Sequence, residues 1–349
     1  VKDEFAALVA QFERDAEVRA VVLVSGKRDA FIAGADIEEF VVLQTVEEAT
    51  ALSRGGQRFL DSIAAFPKPF VVAIHGACVG GGLELALACH YRIATDHPKT
   101  VLALPEVRLG VIPGAGGCNR LPRTVGLRAA LEMILSGKSI RASRAFKTGL
   151  VDELVPPAIL REVAVAAARR LAGGELPRRS GCGGLAGWFF DRSAPGRALV
   201  LRQARAMTRK RTRGNYPAPL AALDAVGHSL GHGMERGLSR EAELFGELAH
   251  SEVSRRLVEV FFATAALKKD IGVPMRAPSP APVERLGILG AGFMGSGIAA
   301  TAAIHGGVPV RMRDADLPRV GKGIKAVADI IQERVRRHNS TRLEGARQL

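Results

Sequence analysis

Aromatic side chains are scarce in this chain. Phe, Trp and Tyr make up 5% of its 349 residues, with one Trp and two Tyr. A core must therefore be built from Ala, Val, Leu and Ile. The stacking platforms that single-strand nucleic-acid readers use are also largely missing. Cysteine is sparse too: the four residues Cys78, Cys89, Cys118 and Cys182 show no C-x-x-C spacing. That excludes a disulfide frame or a zinc ribbon, leaves no metal expected, and fits a reducing, cytoplasmic setting. No uncharged apolar run reaches the ~18 residues of a membrane span. The chain begins at Val1 without a basic–apolar leader and reads as a fragment.

Apolar residues reach 47%, enough for one large domain and part of another. Positive charge dominates, with 49 Lys+Arg against 35 Asp+Glu and a formal charge of +14. Such a surface suits a basic soluble enzyme, an anionic ligand with phosphates, or nucleic acid.

The richest stretch runs from Pro69 to Arg123. Phe70-Val71-Val72-Ala73-Ile74 is short, apolar and β-branched, which predicts a buried strand. Gly80-Gly81-Gly82 then opens a helical run, Leu83 to Cys89, with Glu84 in its first turn. The predicted order is strand, glycine turn, helix. Such a turn presents backbone N–H groups with the positive end of the helix dipole behind them, which suits an oxygen gaining negative charge. Glu84 and Glu106 are two carboxyls that could bracket one water as acid and base. Each feature alone is common.

Helices are predicted over 5–15, 46–65, 127–135, 142–150 and 160–171, alternating with strands at 21–24, 92–94 and 101–104, an α/β pattern. Residues 173–187 are rich in Gly, Pro and Arg and read as a linker. An Arg-rich helix over 192–213 reads as a solvated face or as a dock for an acidic partner. More helices are expected at 217–230, 240–249 and 254–268, before the proline-rich segment 274–282.

A second motif follows. Leu286 to Leu289 reads as a strand, and Gly290-Ala291-Gly292-Phe293-Met294-Gly295 is a G-x-G-x-x-G opening a helix. A second strand, Val308 to Met312, precedes Asp314. With strand, helix and acid all in register, the motif is a strong dinucleotide-binding signal. Gly290, Gly292, Phe293, Met294 and Gly295 would bring the NAD pyrophosphate to the helix N-terminus, and Asp314 would take the ribose hydroxyls.

The segments Ala33-Gly34-Ala35-Asp36-Ile37, Ile74 to Ala86, Leu104-Pro105-Glu106 and Gly110 to Gly117 together resemble the enoyl-CoA hydratase (crotonase) family. With the second motif added, the chain is similar to the α subunits of bacterial fatty-acid oxidation complexes. It departs from that text at Cys118-Asn119, where Thr-Gln is usual.

The resemblance implies a crotonase-type ββα spiral with a helical C-terminal part, then the first βαβ of a Rossmann domain. It implies four parts: residues 1–190, a hydratase/isomerase core lacking its front strands; 191–273, a helical extension; 274–282, the linker; and 283–349, the start of an NAD-binding 3-hydroxyacyl-CoA dehydrogenase domain. Its oxyanion hole falls on the amides of Ala35 and Gly81, its coenzyme A contacts on Ala33 to Ile37, and its catalytic pair on Glu84 and Glu106. The implied reaction is hydration of a trans-2-enoyl-CoA, with Δ3,Δ2-enoyl-CoA isomerisation as neighbour and a thiolase β subunit as partner. The catalytic His and Glu of the dehydrogenase would lie beyond Leu349, so NAD binding by this chain is expected to be weak or absent. A nucleic-acid-binding protein and an inactive fragment are the rival readings.

Overall fold

The computed structural model describes residues 2–28, 30–34, 37, 39, 43–175, 187, 189–191, 193–270 and 281–349. Most of the Gly/Pro/Arg linker and of the proline-rich segment lies outside the described residues. The chain divides into two units, Val1–Lys269 and Asp270–Leu349.

The first unit opens with α1 (Lys2–Arg14), then β1 (Val21–Val24), β2 (Ala30–Ile32) and α2 (Val46–Ala64). Thr45 caps α2 by accepting from the Glu48 amide, and Glu48 in turn accepts from the Gln44 amide at 2.7 Å. A second round follows: β3 (Phe70–Ile74), β4 (Ala77–Val79) and α3 (Gly81–Ala88). A third has β5 (Tyr91–Thr95), β6 (Val101–Ala103), a 3-10 turn at Glu106–Leu109 and α4 (Gly117–Val125). After them come α5 (Leu127–Ser136), β7 (Ile140–Arg141), α6 (Ala142–Lys147), β8 (Glu153–Val155) and α7 (Leu160–Ala172).

The strands of each round part company. The first enters a parallel sheet ordered β1-β3-β5-β8, the second a sheet ordered β2-β4-β6-β7. Every residue of β3 is buried because the strand is interior to its sheet and apolar on both faces. The sequence alone suggested strand, glycine turn, helix. The structure inserts β4 between the first two, pairing Ala77 with both Ala30 and Val101. This three-residue strand carries the chain across to the second sheet just before Gly80. A Cβ on Gly82 would meet the Ile32 backbone, so only glycine lets α3 start this close to β2.

Four helices complete the unit: α8 (Ala194–Thr212), α9 (Pro217–His232), α10 (Met234–Ala249) and α11 (Glu252–Lys269). Helix α10 lies against α2 at Gly246, where a Cβ would strike Thr50, and against α9 at Gly237, where it would strike Ser229. The core is Ala, Val, Leu and Ile with a few Phe residues, as the composition implies.

The second unit holds β9 (Leu286–Leu289), α12 (Phe293–Thr301), a π turn at Ala302–Gly306 and β10 (Val310–Arg313), with β9 and β10 parallel. Then come α13 (Leu317–Arg336) and α14 (Arg342–Gln348), the latter opened by a capping box of Thr341 and Glu344. No helix among the described residues is long and apolar enough to cross a membrane.

Candidate active site

Gly80 adopts φ +57°, a left-handed turn that glycine tolerates, and its carbonyl accepts from the amides of Leu83 and Glu84 at 2.8 and 3.0 Å. Glu84 is thereby aimed inward from the first turn of α3. It is buried, and its Oε1 accepts from the amides of Ala115 and Gly117, both at 2.8 Å. Burial raises its pKa; those two amides and the charge of Arg120 oppose the shift.

Glu106 opens the 3-10 turn after Pro105. A Cβ built on Gly80 would lie 3.1 Å from its Oε1. Its carboxyl therefore rests against the same glycine turn that launches Glu84. Its Oε2 is buried with no hydrogen-bond partner among the described residues. Burial pushes the Glu106 pKa well up, and the neighbouring charge of Glu84 pushes it further. The charge of Glu84 thus opposes ionisation of Glu106, and the two titrate as a coupled pair. An acid and a base side by side are what addition of water needs.

The loop after β2 reaches this spot as well. A Cβ on Gly80 would sit 3.4 Å from the Gly34 Cα. Ala33 is exposed and Gly34 and Ile37 are half-buried; Ala35 and Asp36 lie outside the described residues. Gly81 is the first residue of α3, and its amide is one of the donors that a helix N-terminus leaves without a partner inside the helix.

In the second unit Gly290 follows β9 with φ +97°. A Cβ on Gly295 would strike the Gly290 carbonyl, which seats α12 tightly on the strand. At Gly292, the residue before α12, a Cβ would meet nothing within 4 Å, leaving open space in front of the helix. Phe293 and Met294 are exposed beside it. Asp314 follows β10, and its carboxylate accepts from the amides of Ala291 and Ala315 at 2.7 Å each, contacts that hold its pKa below the usual range. The acid and the glycine turn are thus joined through the Ala291 amide. The arrangement fits a dinucleotide: a turn open to a pyrophosphate, a helix start behind it and an acid at the strand end.

The sequence pattern of the enoyl-CoA hydratase/isomerase family matches residues 1–177, just over half of the chain. The chain belongs to the enoyl-CoA hydratase/isomerase family. A second pattern, the NAD binding domain of 3-hydroxyacyl-CoA dehydrogenase, matches residues 285–349. Among solved structures, the chain is similar to an enoyl-CoA hydratase from Bacillus anthracis, at 27% identity over 75% of this chain and 85% of that one, with a TM-score of 0.47. It is also similar to an enoyl-CoA hydratase/isomerase from Pseudoalteromonas atlantica, at 22% identity over 80% and 88%, TM-score 0.50. A third is the human mitochondrial delta3-delta2-enoyl-CoA isomerase, at 22% identity over 77% and 88%, TM-score 0.54. The paired strands are those of the crotonase fold, and the second unit is Rossmann-type. A hydratase/isomerase joined to a dehydrogenase NAD-binding domain belongs to fatty-acid metabolism.

A third carboxyl of this hydratase/isomerase unit escaped the sequence reading. Glu241, on α10, is fully buried. It accepts from the Gly116 amide at 2.5 Å, from Asn119 Nδ2 at 2.9 Å and from Gln57 Nε2 at 3.2 Å. Burial raises its pKa, with the charge of Glu84, to about 8. The sequence held one faint signal: a Glu among apolar neighbours at helical spacing, Leu238, Ala242, Leu244 and Phe245, all buried. Among the described residues no group of three His, Cys, Asp or Glu is disposed to hold a metal ion.

Proposed function

We propose that the first unit hydrates a trans-2-enoyl-CoA to a 3-hydroxyacyl-CoA. The observation that carries the proposal is the pair of carboxyls: Glu84, launched from the Gly80 turn and held by Ala115 and Gly117, and Glu106, whose Oε1 rests against that turn and whose Oε2 is buried. The thioester carbonyl would accept from the amides of Gly81 and Ala35, so that negative charge building on its oxygen is stabilised. Glu84, ionised and held by Ala115 and Gly117, takes a proton from water as its oxygen bonds to C3. Glu106, kept protonated by burial, gives its proton to C2. Water supplies one proton and hydroxyl, and the C2=C3 double bond becomes single. The pair then still holds one proton, on Glu84, and is reset when that proton passes to Glu106. Ala33, Gly34, Asp36 and Ile37 are the proposed coenzyme A contacts, together with Ala35.

Δ3,Δ2-Isomerisation is the second reading, since one carboxyl suffices to move a proton between C2 and C4. Two carboxyls at one turn favour hydration. The test is to offer the protein crotonyl-CoA and a trans-3-enoyl-CoA separately. Faster consumption of the first supports hydratase action; turnover of the second alone would replace it with isomerase action.

For the second unit we propose NAD binding at Gly290, Gly292, Phe293, Met294, Gly295 and Asp314. NAD, when bound, accepts a hydride from a hydroxyl-bearing carbon. The chain's own part is to present the Gly292 turn to the pyrophosphate and Asp314 to the ribose. A thiolase β subunit is the proposed partner, tested by co-purification.

A further inference from the structure

Helix α10 lies outside the residues matched to the hydratase/isomerase family, yet it reaches under the active-site loop. Five contacts make the connection. A Cβ on Gly114 would lie 2.8 Å from the Phe245 ring. Gly116, in a left-handed turn at φ +105°, faces Leu238. A Cβ on Gly237 would strike Asn119 Oδ1. Between these, Glu241 receives the Gly116 amide and the Asn119 side chain.

The loop amides thus alternate. Those of Ala115 and Gly117 point to Glu84, and that of Gly116 points the opposite way, to Glu241. Gly116 is the N-cap and Gly117 the first residue of α4, so both carboxyls accept from amides at one helix start. Gln57 steadies Glu241 from α2 and donates also to the Leu238 carbonyl at 2.9 Å. Were the Gly116 amide released, the turn could swing and both amides on Glu84 would move with it.

We propose that Glu241 is a positioning residue for the acid–base pair: by fixing the Gly116 amide and Asn119, it sets the loop that holds Glu84. The inference rests on the reading of Glu84 and Glu106 as that pair. Loop amides that capture a base carboxylate must be held to within a fraction of an ångström to keep it aimed. Here the restraint comes from a helix 125 residues further along the chain than Gly116.

The surroundings of Glu241 also give it an electrostatic effect. Around it are Gln57 on α2, Glu84 on α3, Cys118 and Asn119 on α4, and Glu106 on the 3-10 turn. Its charge raises the pKa of Glu106. Replacement by Gln keeps the size and the acceptor for Gly116. Asn119 Oδ1, buried without a partner among the described residues, can accept from the new amide once Asn119 turns over.

The experiment compares wild type, Glu241→Gln and Glu241→Ala in the full chain. It measures crotonyl-CoA hydration against pH, circular-dichroism melting, and amide hydrogen exchange over residues 114–119. Glu241→Ala should lose at least ~10-fold in kcat with KM within about two-fold, and exchange in the loop should quicken by ~10-fold or more. Glu241→Gln should recover turnover to within about three-fold of wild type. Its alkaline limb should move to lower pH, because Glu106 no longer sits beside a charge. A folded Glu241→Ala with wild-type turnover and loop exchange would overturn the proposal. If Glu241→Ala does not fold, a Gly116 amide that exchanges in wild type as fast as an unstructured one overturns it, since the amide would then not be held by Glu241. If wild type itself hydrates nothing, the reaction proposed above has failed, and the loop exchange rates alone decide for or against Glu241.

Discussion

At the scale of residues, three carboxyls, Glu84 and Glu241 at the 115–117 loop and Glu106 at the Gly80 turn, leave a mark on stability. Glu84, Glu106 and Glu241 all have raised pKa values, burial being the first cause in each. In the unfolded chain each loses its proton near 4.5, while folded Glu241 keeps it to about 8. Between those values the folded state binds more protons than the unfolded one. The stability these groups give is therefore complete below the unfolded value and is lost as pH rises through the folded one. The melting temperature should fall from pH 5.5 to pH 8.5, and the fall should be shallower in Glu241→Gln. A melting temperature that climbs over this interval equally in both proteins would contradict the assignment.

At the scale of elements, the site is made by starts of helices rather than by their faces. Helix α3 launches Glu84, and α4 starts at the amides that receive it. Gly117 is where these meet: a Cβ there would lie 2.6 Å from Pro113 Cβ and 2.9 Å from Glu84 Oε1. Gly117→Ala should destabilise the protein by about 1–3 kcal/mol through overpacking. It should also lower kcat more than it raises KM, because the displaced group is a carboxylate and not a substrate contact. Denaturant melts and steady-state kinetics check the two halves separately.

Much at this scale was legible in the sequence. Apolar β-branched runs marked β1, β3 and β5, and Pro67 to Pro69 marked the handover from α2 to β3. Strand β4 was not legible, since three residues before a triple glycine carry no periodicity. Residues 234–239 of α10 were not predicted for a similar reason, the helix following a Gly rather than a capping side chain. Glu84 and Glu106 could be picked out because glycine and proline punctuate their segments. Glu241 could not, since its partners Gly116, Asn119 and Gln57 are more than a hundred residues away and only the tertiary fold joins them.

At the scale of the whole molecule, the chain carries two units, each with its own candidate site. The residues around Glu84 belong to the first, and the glycine turn with Asp314 to the second. Asp314 holds the Ala291 amide within the second unit. Asp314→Ala should therefore leave crotonyl-CoA hydration within about two-fold of wild type while altering any NAD binding, read by titration with NAD. A large loss of hydration in that variant would mean that the second unit takes part in the first unit's chemistry.

The central claim is that Glu84 and Glu106 act on one water beside a polarised thioester. Its most direct test is the loss of conjugated-thioester absorbance when crotonyl-CoA meets wild type, Glu84→Gln and Glu106→Gln, with the affinity of each variant for the product measured alongside. Each substitution should lower turnover by about two to four orders of magnitude and leave product binding nearly unchanged. Either variant hydrating crotonyl-CoA at close to the wild-type rate would contradict the claim.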